Sequence, residues 1–327
     1  MTVELDDSFQ AMGCDVRLLI GERLVRSAPP PPQAADRERA FVLAFGARLS
    51  RFRSDSDLSA LNRNPSTIVD APPLLRAAVR AGQWAAERSG GLVDPTLVRA
   101  LEQSGYDHSL DGVESASLPE ALAHAPARCA ARPDPSARWS RIIVDDRAGT
   151  VARPPGVMID TGGTGKGLCA DAVAFRLARY TRFVVDCGGD IAVGGIGAQF
   201  QPYAIAIEHP LTGESIGSIE VERGGIATSG LNVRIWRRGD GSFAHHLLDP
   251  STGSPVWSGL IGATALGDSA LEAETLSKMA LLLGPAGARR VLAEHGGLIV
   301  HDSGEVEAIG SVVGRLSIPS SREPCQR

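Results

Sequence analysis

Apolar residues along the chain follow two spacings, and each predicts a kind of element. Alternation predicts strands over 14–21, 141–146 and 150–153, two across 183–195 on either side of a glycine turn, and others over 260–266, 297–301 and 305–310. Residues 203–248 alternate in short runs broken by turn clusters at 211–215, 223–225 and 238–242, as in an antiparallel sheet. Helical spacing predicts helices over 34–49, around Leu58 and Leu61, over 72–88, and over 166–180. Another is predicted over 269–283, followed by a further helical stretch at 286–295. The segment from Asp94 to Gly105 reads as a helix with Asp94 as N-cap and Pro95 in its first turn. Pro29 to Pro32 reads as a stiff extended connector, 107–139 as a variable loop with room for one helix, and 317–327 as a frayed tail. Strands and helices mix without regular βαβ alternation and without an internal repeat. The expected class is therefore α+β, with mixed or antiparallel sheets packed against helices. A single domain over 1–327, with its core at about 10–310, accommodates these elements.

Composition narrows the function. The 327 residues are 43% hydrophobic and 22% charged, as in ordinary globular proteins. A net charge of -5 and 5% aromatics argue against a nucleic-acid partner. No apolar run reaches membrane-spanning length, so no membrane insertion is expected. The acidic N-terminus lacks the pattern of a signal peptide, which makes the cytoplasm the expected compartment. The five cysteines are scattered and form no C-x-x-C pair, in keeping with a reducing environment. The basic residues divide unequally: of 33, only Lys166 and Lys278 are lysines.

Both lysines fall in motifs. Asp160 to Gly167 (DTGGTGKG) is a glycine-rich turn entering a helix, a place where backbone N–H groups receive anions. It is no P-loop, because Asp160 replaces the first glycine and Gly167 the Mg²⁺-binding Ser or Thr. Asp186 to Asp190 (DCGGD) reads as a tight turn between strands. Thr228 and Ser229 lie in a Thr/Ser turn motif, Gly225 to Gly230, followed by His245 and His246, whose rings on a strand point to opposite faces, so that at most one reaches a site. Glu274 and Lys278 are spaced i,i+4, which in isolation reads as an ion pair on a helix.

Taken in order, these motifs resemble the ApbE family, the FAD:protein FMN transferases. The resemblance rests on Met12-Gly13, Leu49 to Phe52, Ser56 to Asn62, Gly91 to Thr96, Asp160 to Asp171, Gly188 to Asp190, Ala227 to Gly230, His246 to Gly253 and the helix over 273–284. It implies an α+β fold and transfer of FMN from FAD to a Thr or Ser hydroxyl of an acceptor flavoprotein, with release of AMP and with Mg²⁺. By position His246 would be the base. Met12, Phe52, Asp94, Pro95 and Thr96 would line the FAD, and Thr228 and Ser229 would border it. Asp160 and Lys166 would contact the nucleotide, and Gly163 and Glu274 would hold the metal. The sequence departs from the family where typical members present an Asp and, one turn on, a Thr to the metal: here stand Glu274 and Lys278. An ammonium cannot ligate a metal, so Lys278 is a candidate replacement for it beside the pyrophosphate. Gly46, Cys14 and Asn232 are further departures. FAD hydrolysis to FMN and AMP, and flavin binding without catalysis, are the alternatives.

Overall fold

The computed structural model describes residues 5–110, 112–113, 115–314 and 316–317. Its centre is an eight-stranded sheet in which every neighbouring pair is antiparallel. In spatial order the strands are β1 (Leu5–Ala11), β2 (Cys14–Ile20), β6 (Phe183–Cys187), β7 (Asp190–Gly194), β10 (Gly224–Gly230), β13 (Leu260–Gly267), β14 (Gly297–His301) and β15 (Val306–Ile309). Sheet and helices define the α+β class that the sequence pattern predicts. Three small sheets flank the large one: β3 (Ile68–Asp70) with β5 (Thr150–Ala152) and β4 (Ile143–Asp145), β8 (Tyr203–Glu208) with β9 (Ser215–Val221), and β11 (Ile235–Arg237) with β12 (Phe243–His245).

Two apolar cores share the sheet. In one, Val16, Leu18 and Ile20 of β2 meet Val42 and Phe45 of α1 (Pro31–Leu49), Leu58 and Leu61 of α2 (Asp57–Arg63), Val79 of α3 (Pro73–Arg88) and Val173 of α6 (Gly165–Arg176). In the other, Ile226, Ala263 and Ile299 of the central strands meet Leu276 and Ala280 of α7 (Ala270–His295) and Ile207 and Ile219 of the β8–β9 hairpin. Each buried aliphatic chain of this size contributes about 1.5–3 kcal/mol. The ends of α6 and α7 meet between the cores. There Gly167 lies so close to α7 that a Cβ would stand 2.7 Å from the Ala270 carbonyl oxygen. Asp171 locks the contact by accepting hydrogen bonds from the N–H groups of Ala270 (2.8 Å) and Leu271 (3.0 Å), which caps α7.

Some elements differ from the sequence expectation. The proline run is not wholly a connector, because α1 begins on Pro31: the fixed φ and missing N–H of proline suit a first helical turn. Asp94 caps no helix. Its Oδ1 accepts from the N–H (2.7 Å) and hydroxyl (2.6 Å) of Thr96, and this local turn delays α4 to Val98–Gln103. Helix α6 stops at Arg176 rather than Tyr180. Residues 177–180 peel away to meet the segment after β2, where Leu24 N–H donates to the Arg179 carbonyl at 2.8 Å. The stretches 269–283 and 286–295 are, as expected, two helical segments; both lie within α7 and are separated by a break at Gly284-Pro285, where Gly284 leaves helical geometry with φ of 70°. The loop over 107–139 holds the helix α5 (Leu118–Ala123) and the start of a 3₁₀ turn (Arg138–Arg141). At the expected tail, Ser317 exchanges two 3.0 Å backbone hydrogen bonds with Ser218 of β9, and the rest of that stretch lies outside the described residues.

Candidate functional site

The first turn of α6, the β1–β2 and β6–β7 turns, the end of β10 and the middle of α7 surround a cleft of about 680 Å³. Of the residues singled out from sequence, Met12, Phe52, Asp94, Pro95, Asp160, Gly163, Lys166, Thr228, Ser229, His246 and Lys278 line it. Thr96 and Glu274 stand behind this lining. Thr96 is held by Asp94, and Glu274 is fully buried beneath Lys278.

One end of the cleft is aromatic. Phe52 packs against Tyr106 with ring centroids 5.2 Å apart, and Tyr106 against Trp236 of β11 at 5.5 Å. The Arg51 guanidinium lies 4.1 Å from the Phe52 centroid and 4.5 Å from that of Tyr106, a cation–π arrangement. It also donates to the Tyr106 carbonyl at 2.7 Å and stands 3.9 Å from Asp160 Oδ1. Asp160 accepts from the Gly162 N–H at 3.0 Å and so shapes the glycine turn itself. Met12, with φ of 53°, reaches the cleft from the β1–β2 turn, and a Cβ on Gly46 would come within 2.8 Å of its side chain. Tyr106 and Arg51 were not singled out from sequence. Tyr106 sits in a turn with no periodic signal, and only the fold brings it to Phe52; Arg51 directly precedes Phe52, but nothing in the sequence marks its guanidinium as a partner of the two rings.

The other end carries four charges. Lys166 Nζ lies 2.5 Å from Asp190 Oδ2 and 3.4 Å from the Gly188 carbonyl oxygen. Lys278 Nζ donates to Glu274 Oε1 at 2.8 Å, and the Gly167 N–H donates to Glu274 Oε2 at 2.9 Å. Asp190 and Glu274 are 1% and 0% exposed. Burial works against the charge of Lys166, but the carboxylates of Asp190 and Glu274 outweigh it and hold its pKa above the ordinary lysine value. Burial and the Asp190 charge push Glu274 up to about 7, against the pull of Lys278 and Lys166. Asp190 is the functional candidate that sequence reading passed over as part of a bend. The bend presents it: Gly188 and Gly189 take φ of 66° and 87°, and the Gly189 N–H donates to Asp186 Oδ1 at 2.8 Å.

The two histidines part ways. His245 is fully buried, with its ring edge-on to Trp257 at 4.9 Å and its Nδ1 accepting from the Leu247 N–H at 3.3 Å. His246 borders the cleft, and its Nδ1 has no hydrogen-bond partner among the described residues. Burial, then His245, Lys278 and Arg234, push the His246 pKa down to about 3, so the ring is neutral with a lone pair available. Thr228 Oγ1 pairs with Thr264 Oγ1 at 2.9 Å, and Ser229 Oγ with Ser277 Oγ of α7 at 2.8 Å, so both hydroxyls brace the sheet at the cleft edge.

Glu274 and Lys278, at the positions where the resemblance expects side-chain metal ligands, do not suit Mg²⁺. Both Glu274 oxygens already accept hydrogen bonds, and Lys278, one turn on, is a donor without a ligating lone pair. Among the described residues no three His, Cys, Asp or Glu side chains converge as a metal site.

Fold and site together define an α+β protein whose cleft joins an aromatic wall to an ion-paired, lysine-bearing floor. The chain belongs to the ApbE family, whose family model matches residues 12–300. The FAD:protein FMN transferase of Klebsiella pneumoniae is 30% identical over 146 residues, an alignment covering 43% of this chain and 41% of that protein. The FAD:protein FMN transferase of Haemophilus influenzae is 29% identical over 300 residues, covering 85% and 82%. The crystal structure of the ApbE protein from Thermotoga maritima superposes with a TM-score of 0.76 at 25% identity, covering 97% of this chain and 99% of that one. No helix among the described residues is long and apolar enough to cross a membrane.

Proposed function

We propose that the chain transfers FMN from FAD to a Thr or Ser hydroxyl of an acceptor flavoprotein and releases AMP. The observation that carries this reading is the joined cleft. A flavin needs an apolar, aromatic wall, its pyrophosphate needs fixed cations, and the acceptor oxygen needs a neutral base. Phe52 with Tyr106, the two lysines, and His246 border one space. The names of the relatives support the same chemistry.

In this reading Met12, Phe52 and the Asp94-Pro95-Thr96 turn hold the flavin, and Asp160 fixes the glycine turn against the nucleotide. The acceptor oxygen attacks the FMN-side phosphorus, an O–P bond forms, the bridging P–O bond breaks, and AMP departs. His246 takes the hydroxyl proton and passes it to the leaving phosphate or to solvent. Lys166 and Lys278 stabilise the charge that builds on the phosphoryl oxygens.

The test incubates the protein with FAD, with and without an acceptor flavoprotein, and follows AMP and covalent flavin on the acceptor by mass spectrometry. AMP formed only with acceptor, in step with flavin on its hydroxyl residue, is the expected result. AMP without acceptor makes the chain an FAD pyrophosphatase. Bound FAD without AMP makes it a flavin-binding protein, and no FAD binding overturns the reading altogether.

A further inference from the structure

We infer that this chain holds the FAD pyrophosphate with a built-in cation, Lys278 anchored on Glu274, and needs no divalent metal to bind it. The inference rests on the flavin reading above and concerns what occupies the floor of the cleft.

The first ground is the donor set. A hard dication asks for several oxygen ligands with free lone pairs. The resemblance gives Glu274 this task, yet Glu274 does not line the cleft, its Oε2 accepts from the Gly167 N–H at the α6–α7 contact and its Oε1 from Lys278 Nζ. The first commitment belongs to the fold, since Gly167 approaches α7 too closely for any side chain. Moving Glu274 toward a metal would leave that N–H buried without an acceptor.

The second ground is the free valence of Lys278. An ammonium has three N–H donors. Among the described residues Lys278 uses one, on Glu274, and its side chain is 11% exposed at the wall of the cleft. Two donors therefore remain for a ligand. Lys166 enters the same cleft from the α6 side, anchored on Asp190. Each cation thus stands on its own buried carboxylate. This arrangement positions positive charge without reorganisation, the task a metal would otherwise perform.

The third ground is compositional. The chain uses arginine at 31 of 33 basic positions, and its only two lysines are these two. A compact ammonium enters a crowded phosphate site where a planar guanidinium fork does not.

The experiment titrates FAD into the full-length protein, following flavin fluorescence, once in EDTA and once in Mg²⁺. It also titrates Mn²⁺ by electron paramagnetic resonance with FAD present. Equal FAD affinity in the two buffers, with no stoichiometric Mn²⁺ site, is expected. Lys278→Thr in EDTA should bind FAD about tenfold or more weakly, as expected for losing a charge-assisted hydrogen bond. Because that variant leaves Glu274 buried and uncompensated, the double variant Lys278→Gln/Glu274→Gln, which removes both charges, should show the same loss. Wild-type affinity that falls about tenfold in EDTA and returns with Mg²⁺ overturns the inference and leaves the flavin reading standing. So does a stoichiometric Mn²⁺ site, or undiminished affinity in both variants. No FAD binding in either buffer overturns the flavin reading and this inference with it.

Discussion

The two ends of the cleft are built by different means. The wall of Phe52 and Tyr106, with Trp236 behind, comes from separate loops and a short strand, and is held by ring contacts and the Arg51 guanidinium. The floor of Lys166, Asp190, Glu274 and Lys278 comes from the large sheet and the two helices on it, and is held by ion pairs on two buried carboxylates. Changes in the floor should therefore reach stability as well as chemistry, because an uncompensated buried charge costs more than a lost contact. Changes in the wall should act on the flavin and spare the fold.

The largest effect separates the two neighbouring histidines. His246→Ala should lower the transfer rate by about 10²–10⁴, the contribution of a positioned base. FAD affinity measured by fluorescence should stay close to wild type, because in the proposed reaction the ring serves the acceptor hydroxyl rather than the flavin. A comparable loss of FAD affinity would place His246 in the binding wall instead. Glu274→Ala comes next. It leaves Lys278 and the Gly167 N–H without their partner, so urea unfolding should show a loss of about 3–5 kcal/mol.

His245 supplies the pH dependence. Burial, more than anything else, lowers its pKa to about 4. The unfolded chain, with a histidine pKa near 6.5, then binds the proton first as pH falls. Stability is intact above about 6.5 and is lost progressively down to about 4, by roughly 3 kcal/mol for this one group. His246 adds in the same direction over a wider range, since its folded pKa is about 3. Glu274 opposes them: its pKa is raised to about 7, so its contribution is lost as pH rises from its unfolded value through 7. His245→Phe should flatten the acid limb of a stability–pH curve. An unchanged limb would mean that His245 titrates freely in the folded protein.

The same contrast explains what the sequence made legible. The floor could be read because its residues sit in motifs with local signatures: a glycine turn carrying Lys166, an i,i+4 pair, a His-His dipeptide at a strand end. Asp190 was in view, but a DCGGD turn looks the same whether its last residue is buried in a site or exposed on a bend. The i,i+4 spacing of Glu274 and Lys278 does not by itself say which face of a helix is covered, but the alanines and leucines around the pair point to a partly buried position, and the structure places it there. The wall was half legible. Phe52 and Arg51 follow a long helix in a recognisable segment, whereas Tyr106 from a loop and Trp236 from β11 reach them only through the fold. The element boundaries that moved did so for local reasons: Asp94 spends its cap on Thr96, and proline enters the first turn of α1.

The smallest effect tests how deep the wall goes. Trp236 does not line the cleft; it backs Tyr106 and donates from its indole N–H to the Ser104 carbonyl at 2.8 Å. Trp236→Phe keeps an aromatic ring behind Tyr106 and removes that one hydrogen bond. The cost in urea unfolding should be about 0.5–1.5 kcal/mol, the net worth of a single neutral bond. FAD affinity should move by less than about twofold, because the surface offered to the flavin is made by Phe52 and Tyr106 and is braced from the other side by Arg51. A tenfold fall in affinity with little loss of stability would mean that the wall is aligned from behind. In that case the loop at 104–106 and strand β11 would belong to the binding site as fully as the residues that touch it.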